Sequence, residues 1–298
     1  MKPAHLALLL LMNFFWAAVY STYKVIGDTL PTGGIVTLRF GLAGLFLLLT
    51  WPWLAGPAPR GKDLGTTCVM GLILYVLGQR LQVYGNQLGT AGNSAVLIAL
   101  EPLLVSIAAA IVLREQLGPR RLAGFALCLF GVTLLNGVWR EDFQWTGLAA
   151  SLIFISSFIC EAAYAVLGKP IVGRASVIKM LTISLLLGTL VNLLIDGSHT
   201  IEAARSLPPK AWVLILALAL LCTALGYTVW FVVIRECPVN VAALTVFAQS
   251  VFGVGIATVW LGEKPHRGQF LGSLAIVSGL VLGLSRQIKK ERSEGVTE

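Results

Sequence analysis

Long apolar stretches alternate along this chain with short segments rich in glycine, proline and charged residues. A helix needs about 20 mostly apolar residues to cross the hydrocarbon core of a bilayer. Ten stretches approach that length, covering roughly 5–26, 33–51, 64–84, 91–113, 121–138, 146–167, 176–195, 211–233, 241–261 and 268–285. The pattern predicts an all-α membrane protein with ten transmembrane helices.

The two halves of the chain share a residue spacing. An offset of 148 positions relates six identical pairs, namely Ala95 and Ala243, Ala109 and Ala257, Leu113 and Leu261, Glu115 and Glu263, Gly124 and Gly272, and Gly131 and Gly279. Half-chain repetition in an apolar chain is typical of transporters, although chance repetition is the alternative in a sequence this rich in leucine, alanine and glycine. Because five helices per half is an odd number, we expect an inverted pair of five-helix repeats at 1–138 and 139–285, followed by a basic tail at 286–298.

Composition and charge agree with a membrane location. Apolar residues make up 57% of the 298 positions, charged residues only 12%, and the mean hydropathy is +0.84, which excludes an ordinary water-soluble domain. On the side of the predicted termini the loops hold fourteen lysines and arginines, against five on the other side. Cytoplasmic loops carry this excess, so we expect a multi-pass protein of a bacterial-type inner membrane with both termini cytoplasmic. The uneven distribution of basic residues mostly orients the chain in the membrane and accounts for the net charge of +8. No nucleic-acid partner is therefore expected.

Catalytic and metal-binding motifs have little support in the sequence. Five cysteines contain no C-x-x-C pair, and three histidines lie far apart. Nucleophile elbows and phosphate-binding loops are also missing from the sequence. We therefore expect no enzyme activity, no metal site and no cofactor.

Polar and aromatic side chains recur at helical spacing on six of the ten predicted helices. The members are Asn13, Trp16, Tyr20 and Tyr23 on helix 1, Tyr75, Gln79, Gln82 and Asn86 on helix 3, Ser94, Ile98 and Glu101 on helix 4, Ser157, Glu161 and Tyr164 on helix 6, Thr223, Tyr227 and Trp230 on helix 8, and Thr245 and Gln249 on helix 9. We expect them to line one cavity. The alternative for each stripe alone is ordinary helix packing or an aromatic anchor at the membrane interface. Helices 2, 5, 7 and 10 are mainly apolar, and we interpret them as scaffold.

Two carboxylates fall near the middle of predicted helices. A charge at bilayer depth costs about 2.5–3.5 kcal/mol on insertion scales, so Glu101 and Glu161 each need a partner, a proton or a wet cavity. Pro102 follows Glu101 and bends its helix, which leaves three roles open for this carboxyl: a structural hydrogen bond, a gate, or contact with solute or proton. Glu161 follows no proline and shares its stripe with Tyr164, so contact with solute or proton stays open for it beside a structural role.

Three basic residues lie towards the predicted external ends of their helices. Arg39 begins an apolar helix, and we expect its long side chain to reach the lipid headgroups. Lys24 and Arg80 either do the same or attract a carboxylate at the outer mouth.

Taken together, the residues resemble those of the drug/metabolite transporter superfamily, in its EamA-type ten-helix branch. The features that match are Trp16, Lys24, Arg39-Phe40, Ala95, Glu101-Pro102, Glu115-Gln-Leu, Gly124, Gly131, Lys169, Glu263-Lys-Pro, Gly272 and Gly279. More narrowly, the chain is similar to the YddG-type aromatic amino acid exporters. The resemblance implies inverted repeats around a central cavity, alternating access, and export of amino acids or other small metabolites.

Two positions depart from the family pattern. Gln249-Ser250 stands where the second repeat often has Glu-Pro, and Glu161 occupies a position where tryptophan is usual. The resemblance therefore implies a straighter helix 9 than helix 4.

These observations predict a transporter that exports small hydrophobic or aromatic amino acids, with the bilayer and a small molecule as partners and the oligomeric state open. The substrate-binding candidates are Trp16, Tyr20, Tyr75, Gln79, Gln82, Glu101, Glu161, Tyr164, Tyr227, Trp230 and Gln249. Exporters of cationic drugs, nucleotide sugars or sugar phosphates, and a receptor that moves no ligand, are the alternatives.

Overall fold

The computed structural model describes residues 2–88, 97–139, 141, 148–261 and 267–294, and these contain helices but no strand. We group the helical segments as α1 (Pro3–Gly27), α2 (Thr32–Thr50), α3 (Lys62–Leu88), α4 (Ile98–Val112), α5 (Pro119–Asn136), α6 (Leu148–Val172), α7 (Val177–Arg205), α8 (Pro209–Glu236), α9 (239–261) and α10 (Arg267–Glu294). The predictions that fall outside the described residues concern Ser94, Ala95, Glu263 and its neighbours Lys264 and Pro265, and, for their side chains alone, Lys24, Ala257 and Leu261.

Within that part of the chain, seven helices are long and apolar enough to cross a membrane: α1, α2, α3, α6, α7, α8 and α10. α4 and α9 contain shorter apolar helices, Ile98–Val112 and Val239–Gly253. The chain is thus a multi-pass membrane protein, while the count of ten crossings stays a prediction.

Irregular turns interrupt corresponding helices of the two halves. α3 contains a π-helical stretch, Leu72–Gly78, and α8 contains another, Leu218–Leu225. A 3₁₀ turn likewise occupies Ile98–Leu100 in α4 and Thr245–Phe247 in α9. π-Helical turns inside α-helices often mark functional sites. The turn in α4 lies just before Pro102, as expected of a proline that disrupts the preceding turn, but α9 has the same turn without a proline. The absence of a proline therefore does not spare α9 this turn, while a straighter helix 9 stays a prediction.

α5 and α10 pack closely through glycines. A Cβ atom added to Gly124 would lie 2.8 Å from the carbonyl oxygen of Gly279, and one added to Gly131 would lie 2.8 Å from that of Gly272. As the residue number rises along α5 it falls along α10, so the two helices are antiparallel. Small residues allow such close backbone approach, and here it occurs within one chain.

α7 is longer than the sequence predicts. Its expected end near residue 195 is a kink, because Asp196 has non-helical angles (φ −146°, ψ 28°), and the helix continues to Arg205. Arg80 of α3 donates to Asp196 Oδ1 over 2.9 Å and to Asn192 Oδ1 over 2.6 Å. Arg80 therefore binds side chains of α7 and forms an ion pair there. The tail is also helical in large part, since α10 continues past residue 285 to Glu294.

Glu115 joins three separate parts of the fold. Its carboxylate accepts hydrogen bonds from Lys169 Nζ over 3.0 Å, near the end of α6, and from the backbone N–H groups of Val239 and Asn240 over 2.8 and 3.0 Å, at the start of α9. Lys169 Nζ also donates to the carbonyl of Cys237 over 2.8 Å. The carboxylate thus supplies acceptors to N–H groups in the first turn of a helix, which lack partners within that helix.

Candidate functional site

Two adjoining cavities lie between the helices. Both are lined by Trp16, Glu101, Glu161 and Tyr227, so these four side chains stand at the junction. α1, α4, α6 and α8 each contribute one of them.

The first cavity is polar, and we call it the polar lobe. Besides the shared four, its lining consists of Val19, Tyr20, Arg39, Gln79, Gln82 and Gln249. The second, the apolar lobe, is completed by Pro102, Val105, Tyr164, Ala165, Trp230, Ala243 and Val246. Ten of the eleven candidate residues from the sequence therefore line one lobe or both.

Aromatic rings form a continuous wall beside the junction. The Trp16 ring centroid lies 5.7 Å from that of Tyr227 and 6.4 Å from that of Trp230. Trp16 Nε1 donates to the carbonyl oxygen of Cys222 over 2.7 Å, inside the π-helical stretch of α8. A Cβ atom on Gly226 would lie 2.7 Å from the same indole nitrogen. The indole is therefore fixed by the irregular turn and by the absence of a side chain at Gly226.

Glu161 is held by neutral donors. Gln79 Nε2 donates to its Oε1 over 2.7 Å, and the Tyr227 hydroxyl donates to the same oxygen over 3.2 Å. The amide oxygen of Gln79 in turn accepts from the Tyr23 hydroxyl over 3.3 Å. These bonds orient the carboxylate toward the junction, and no basic side chain forms an ion pair with it in the described ranges.

Glu101 differs from Glu161 because its side chain makes no hydrogen bond or ion pair with any residue that the structure describes. It begins the regular part of α4 directly after the 3₁₀ turn and lines both lobes. No structural hydrogen bond of Glu101 is thus present in this part of the chain.

Gln249 lies at the α1–α9 contact as well as in the polar lobe. Its Nε2 donates to Asn13 Oδ1 over 3.0 Å, and Asn13 Nδ2 donates to Thr245 Oγ1 over 3.2 Å. The amide nitrogen of Gln249 is thereby used within the protein.

Tyr75 is the candidate that lies outside both lobes. It is fully buried, and its hydroxyl lies 2.6 Å from that of Tyr164. Its ring packs 4.8 Å from that of Phe40. Tyr75 shares a stripe with Gln79, but helical spacing alone does not separate a residue that faces a cavity from one that packs behind it.

Arg39 is the residue that the sequence analysis misplaced. The expectation that it extends to the headgroups is wrong, because Arg39 is only 3% exposed and lines the polar lobe. Its Nε donates to Thr223 Oγ1 over 2.7 Å, and its Nη1 donates to the Tyr23 hydroxyl. Arg39 is the eighth of the 19 residues of α2, which places it about 10 Å from the start of the helix at 1.5 Å per residue. The position of Arg39 well inside the apolar segment could therefore have indicated a buried side chain.

Comparison with known proteins agrees with this architecture. The sequence model of the EamA-like transporter family matches twice, over residues 4–137 and 148–285. A probable terminal-alkyne amino-acid exporter of Streptantibioticus cattleyicolor is 24% identical, over 95% of this chain and 93% of that protein. A probable amino-acid metabolite efflux pump of Escherichia coli is 25% identical, over 65% of this chain and 67% of its own length.

More distant similarity extends to other transporters and to a solved structure. A riboflavin transporter of Rhizobium johnstonii is 23% identical, over 88% of this chain and 84% of that protein. One crystal structure superposes with a TM-score of 0.76 at 16% identity, covering 97% of this chain and 99% of the other, which establishes a shared fold. The chain therefore belongs to the EamA-like transporter family, within the drug/metabolite transporter superfamily, and is a membrane transporter.

Proposed function

We propose that this transporter exports small hydrophobic or aromatic amino acids across a bacterial-type inner membrane by alternating access. The observation that carries the proposal is the position of Glu101 and Glu161 at the junction of the polar lobe and the apolar lobe. A free amino acid has the same division, with a charged backbone end and an apolar side chain.

The chemistry of each lobe fits one end of such a substrate. The carboxylates would accept hydrogen bonds from the substrate ammonium group, and such charge-assisted bonds are the stronger kind. Trp16, Tyr164 and Trp230 would pack against an aromatic side chain, since offset or edge-to-face ring pairs add to the free energy of burial. Predominantly apolar walls with a few polar groups are typical of small-molecule sites.

The helix arrangement supports the inverted repeat that alternating access needs. The contact of Gly124 with Gly279 becomes that of Gly272 with Gly131 when each residue is exchanged for its counterpart 148 positions away. An antiparallel pair related in this way fits a pseudo-two-fold axis across the helices, as in inverted repeats of transporters. Ten crossings and cytoplasmic termini belong to the same proposal, which the names of two relatives, an exporter and an efflux pump for amino acids or their metabolites, also support.

Uptake of labelled phenylalanine into liposomes that hold the purified protein tests this function. We expect saturable flux that the Trp16→Ala variant reduces about tenfold, because the substrate loses a ring contact and a large apolar surface. The matched control is Trp53→Ala, since Trp53 is 82% exposed in the turn after α2. An imposed pH gradient in the same assay measures whether flux is coupled to protons.

Flux of no hydrophobic or aromatic amino acid above that of empty liposomes would contradict the proposal. Export of a cationic drug is then the second candidate, because the cavity has two carboxylates and Glu101 has no partner among the described residues. A sugar phosphate or nucleotide sugar is less well supported, since Arg39 is the only cation in the described lining of the two lobes.

A further inference from the structure

Arg39 places a permanent positive charge in the polar lobe. Its guanidinium group is buried near the middle of α2, where the neighbouring residues of the helix are apolar. A charge at that depth is costly, and charged side chains inside membranes usually face a cavity and mark a substrate pathway.

The side chains that accept hydrogen bonds from the guanidinium or stack on it are neutral. Nε donates to the hydroxyl of Thr223, Nη1 donates to that of Tyr23, and the ring centroid of Phe40 lies 4.8 Å from the guanidinium carbon. A guanidinium has five N–H donors, and Nη2 makes no hydrogen bond to any described residue. Donors therefore remain for a group inside the lobe.

No carboxylate of the described chain forms an ion pair with Arg39. Glu161 lines the same lobe, but Gln79 and Tyr227 donate to it, and it lies beyond ion-pair distance of the guanidinium. An anion that enters the lobe would thus meet a desolvated cation with unused donors.

We propose that Arg39 binds the carboxylate of the transported amino acid, while Glu101 and Glu161 receive its ammonium group. This inference rests on the proposed function and adds a requirement to it, namely that substrates have a free carboxylate. The planar guanidinium matches a carboxylate through two parallel hydrogen bonds, which a lysine does not reproduce.

Tyr23 and Thr223 are the positioning residues for this arginine. The Thr223 hydroxyl accepts from Arg39 and itself donates to the carbonyl oxygen of Leu218 over 3.0 Å, within the π-helical stretch of α8. The plane of the guanidinium is thereby fixed to backbone on one side and to α1 on the other.

The test is a comparison of ligands that differ at one group, by calorimetric binding to the purified protein. Phenylalanine has both charges, phenylalaninamide lacks the carboxylate, and 3-phenylpropionate lacks the ammonium group. We expect the wild-type protein to bind phenylalanine about tenfold to a hundredfold more tightly than phenylalaninamide, the range that follows from hydrogen bonds to a charged group.

Variants then assign this preference to one side chain. Arg39→Gln should weaken phenylalanine binding to the level of phenylalaninamide without weakening phenylalaninamide itself, and Arg39→Lys should restore part of the difference. Arg235→Gln removes the same charge from a side chain that is 46% exposed at the end of α8, and should leave the ratio unchanged. Thr223→Val removes a hydrogen bond that positions Arg39 but keeps the charge of the arginine. It should reduce the ratio of phenylalanine affinity to phenylalaninamide affinity, and it is the second variant if Arg39→Gln does not fold.

Each result separates this inference from the function on which it rests. Equal wild-type affinities for phenylalanine and phenylalaninamide would overturn the role of Arg39 and leave amino acid transport standing. Binding of phenylalaninamide and other cations, with none of phenylalanine or 3-phenylpropionate, would overturn both. The wild-type comparison needs no variant, so a misfolded Arg39→Gln protein does not prevent a decision.

Discussion

At the scale of single residues, two buried tyrosine hydroxyls show how the same chemical group serves different ends. Tyr75 lies outside both lobes and its hydroxyl bonds to that of Tyr164, whereas Tyr227 lines both lobes and donates to Glu161. Removal of either hydroxyl breaks one buried hydrogen bond. The consequences for substrate binding should nevertheless differ.

Tyr75→Phe should lower the free energy of unfolding by about 1–2 kcal/mol, because Tyr164 loses a buried partner, while phenylalanine affinity changes less than twofold. Tyr227→Phe should weaken phenylalanine binding about tenfold, since Glu161 loses a donor that orients it. Denaturant unfolding in detergent and a binding titration measure the two effects. A similar loss of affinity in both variants would contradict the assigned positions.

Much of the site can be predicted at this scale, and the exceptions have a common cause. Helical spacing identifies residues on one face, and it groups Trp16, Gln79, Glu161 and Tyr227 as candidates for one cavity. Spacing does not give the direction of that face or its depth in the bundle. The predicted position of Arg39 is therefore wrong, and Tyr75 lies outside both lobes, because both positions depend on which neighbouring helix lies opposite.

At the scale of helices, the α5–α10 contact depends on the absence of side chains. A Cβ atom at Gly131 would approach the Gly272 carbonyl oxygen to 2.8 Å and the Ile276 backbone nitrogen to 2.9 Å, and these backbone atoms move only with the whole helix. Gly65 of α3, by contrast, has no atom within 4 Å of its added Cβ.

Gly131→Ala should therefore reduce the free energy of unfolding by about 1–3 kcal/mol, the usual cost of overpacking. Gly65→Ala should leave it unchanged or raise it by up to about 1 kcal/mol, because alanine favours helix over glycine. Thermal unfolding of the two variants in the same detergent compares them. Equal stability of the two variants would mean that close packing of α5 against α10 at Gly131 does not contribute to the free energy of unfolding.

The observed helix boundaries show which features of the helices can be predicted from the apolar pattern and which cannot. Hydropathy locates each helix that the structure describes, because the bilayer demands long apolar stretches, yet it misses the π-helical stretches and the continuation of α7 to Arg205. The π-helical stretch of α8 contains the acceptor of the Trp16–Cys222 hydrogen bond, which joins residues 206 positions apart. Local sequence does not specify such a contact.

At the scale of the whole molecule, Glu115 and Lys169 connect the segment after α4 to the ends of α6 and α8 and the start of α9. Glu115→Ala would leave two backbone N–H groups and the Lys169 ammonium without their shared carboxylate. We expect a loss of about 2 kcal/mol in the free energy of unfolding, and about half of that for Glu115→Gln, whose amide oxygen still accepts hydrogen bonds.

The control is Glu202→Ala, because Glu202 is exposed near the end of α7 and its removal should change stability by less than about 0.5 kcal/mol. Chemical unfolding followed by tryptophan fluorescence provides the measurement. If Glu115→Ala and Glu202→Ala were equally stable, the connection would contribute nothing to the fold.

The sequence offset of 148 positions is most informative at this scale. It marks Glu115 and the glycines of α5 and α10, because a repeated fold repeats the residues that its packing needs. The offset does not identify their partners, because the residues that Glu115 and these glycines contact are not their own counterparts 148 positions away.

The glycine contact between α5 and α10 also has a consequence for how such a chain could arise. The surface that α5 presents to α10 has the same glycines, in the same order, as the surface that α10 presents to α5. A patch that fits its own copy is the defining property of the interface in a two-fold symmetric dimer. A gene for one half alone would thus already encode a matching surface for a second, oppositely oriented copy, and fusion of two such genes would preserve the contact within a single chain.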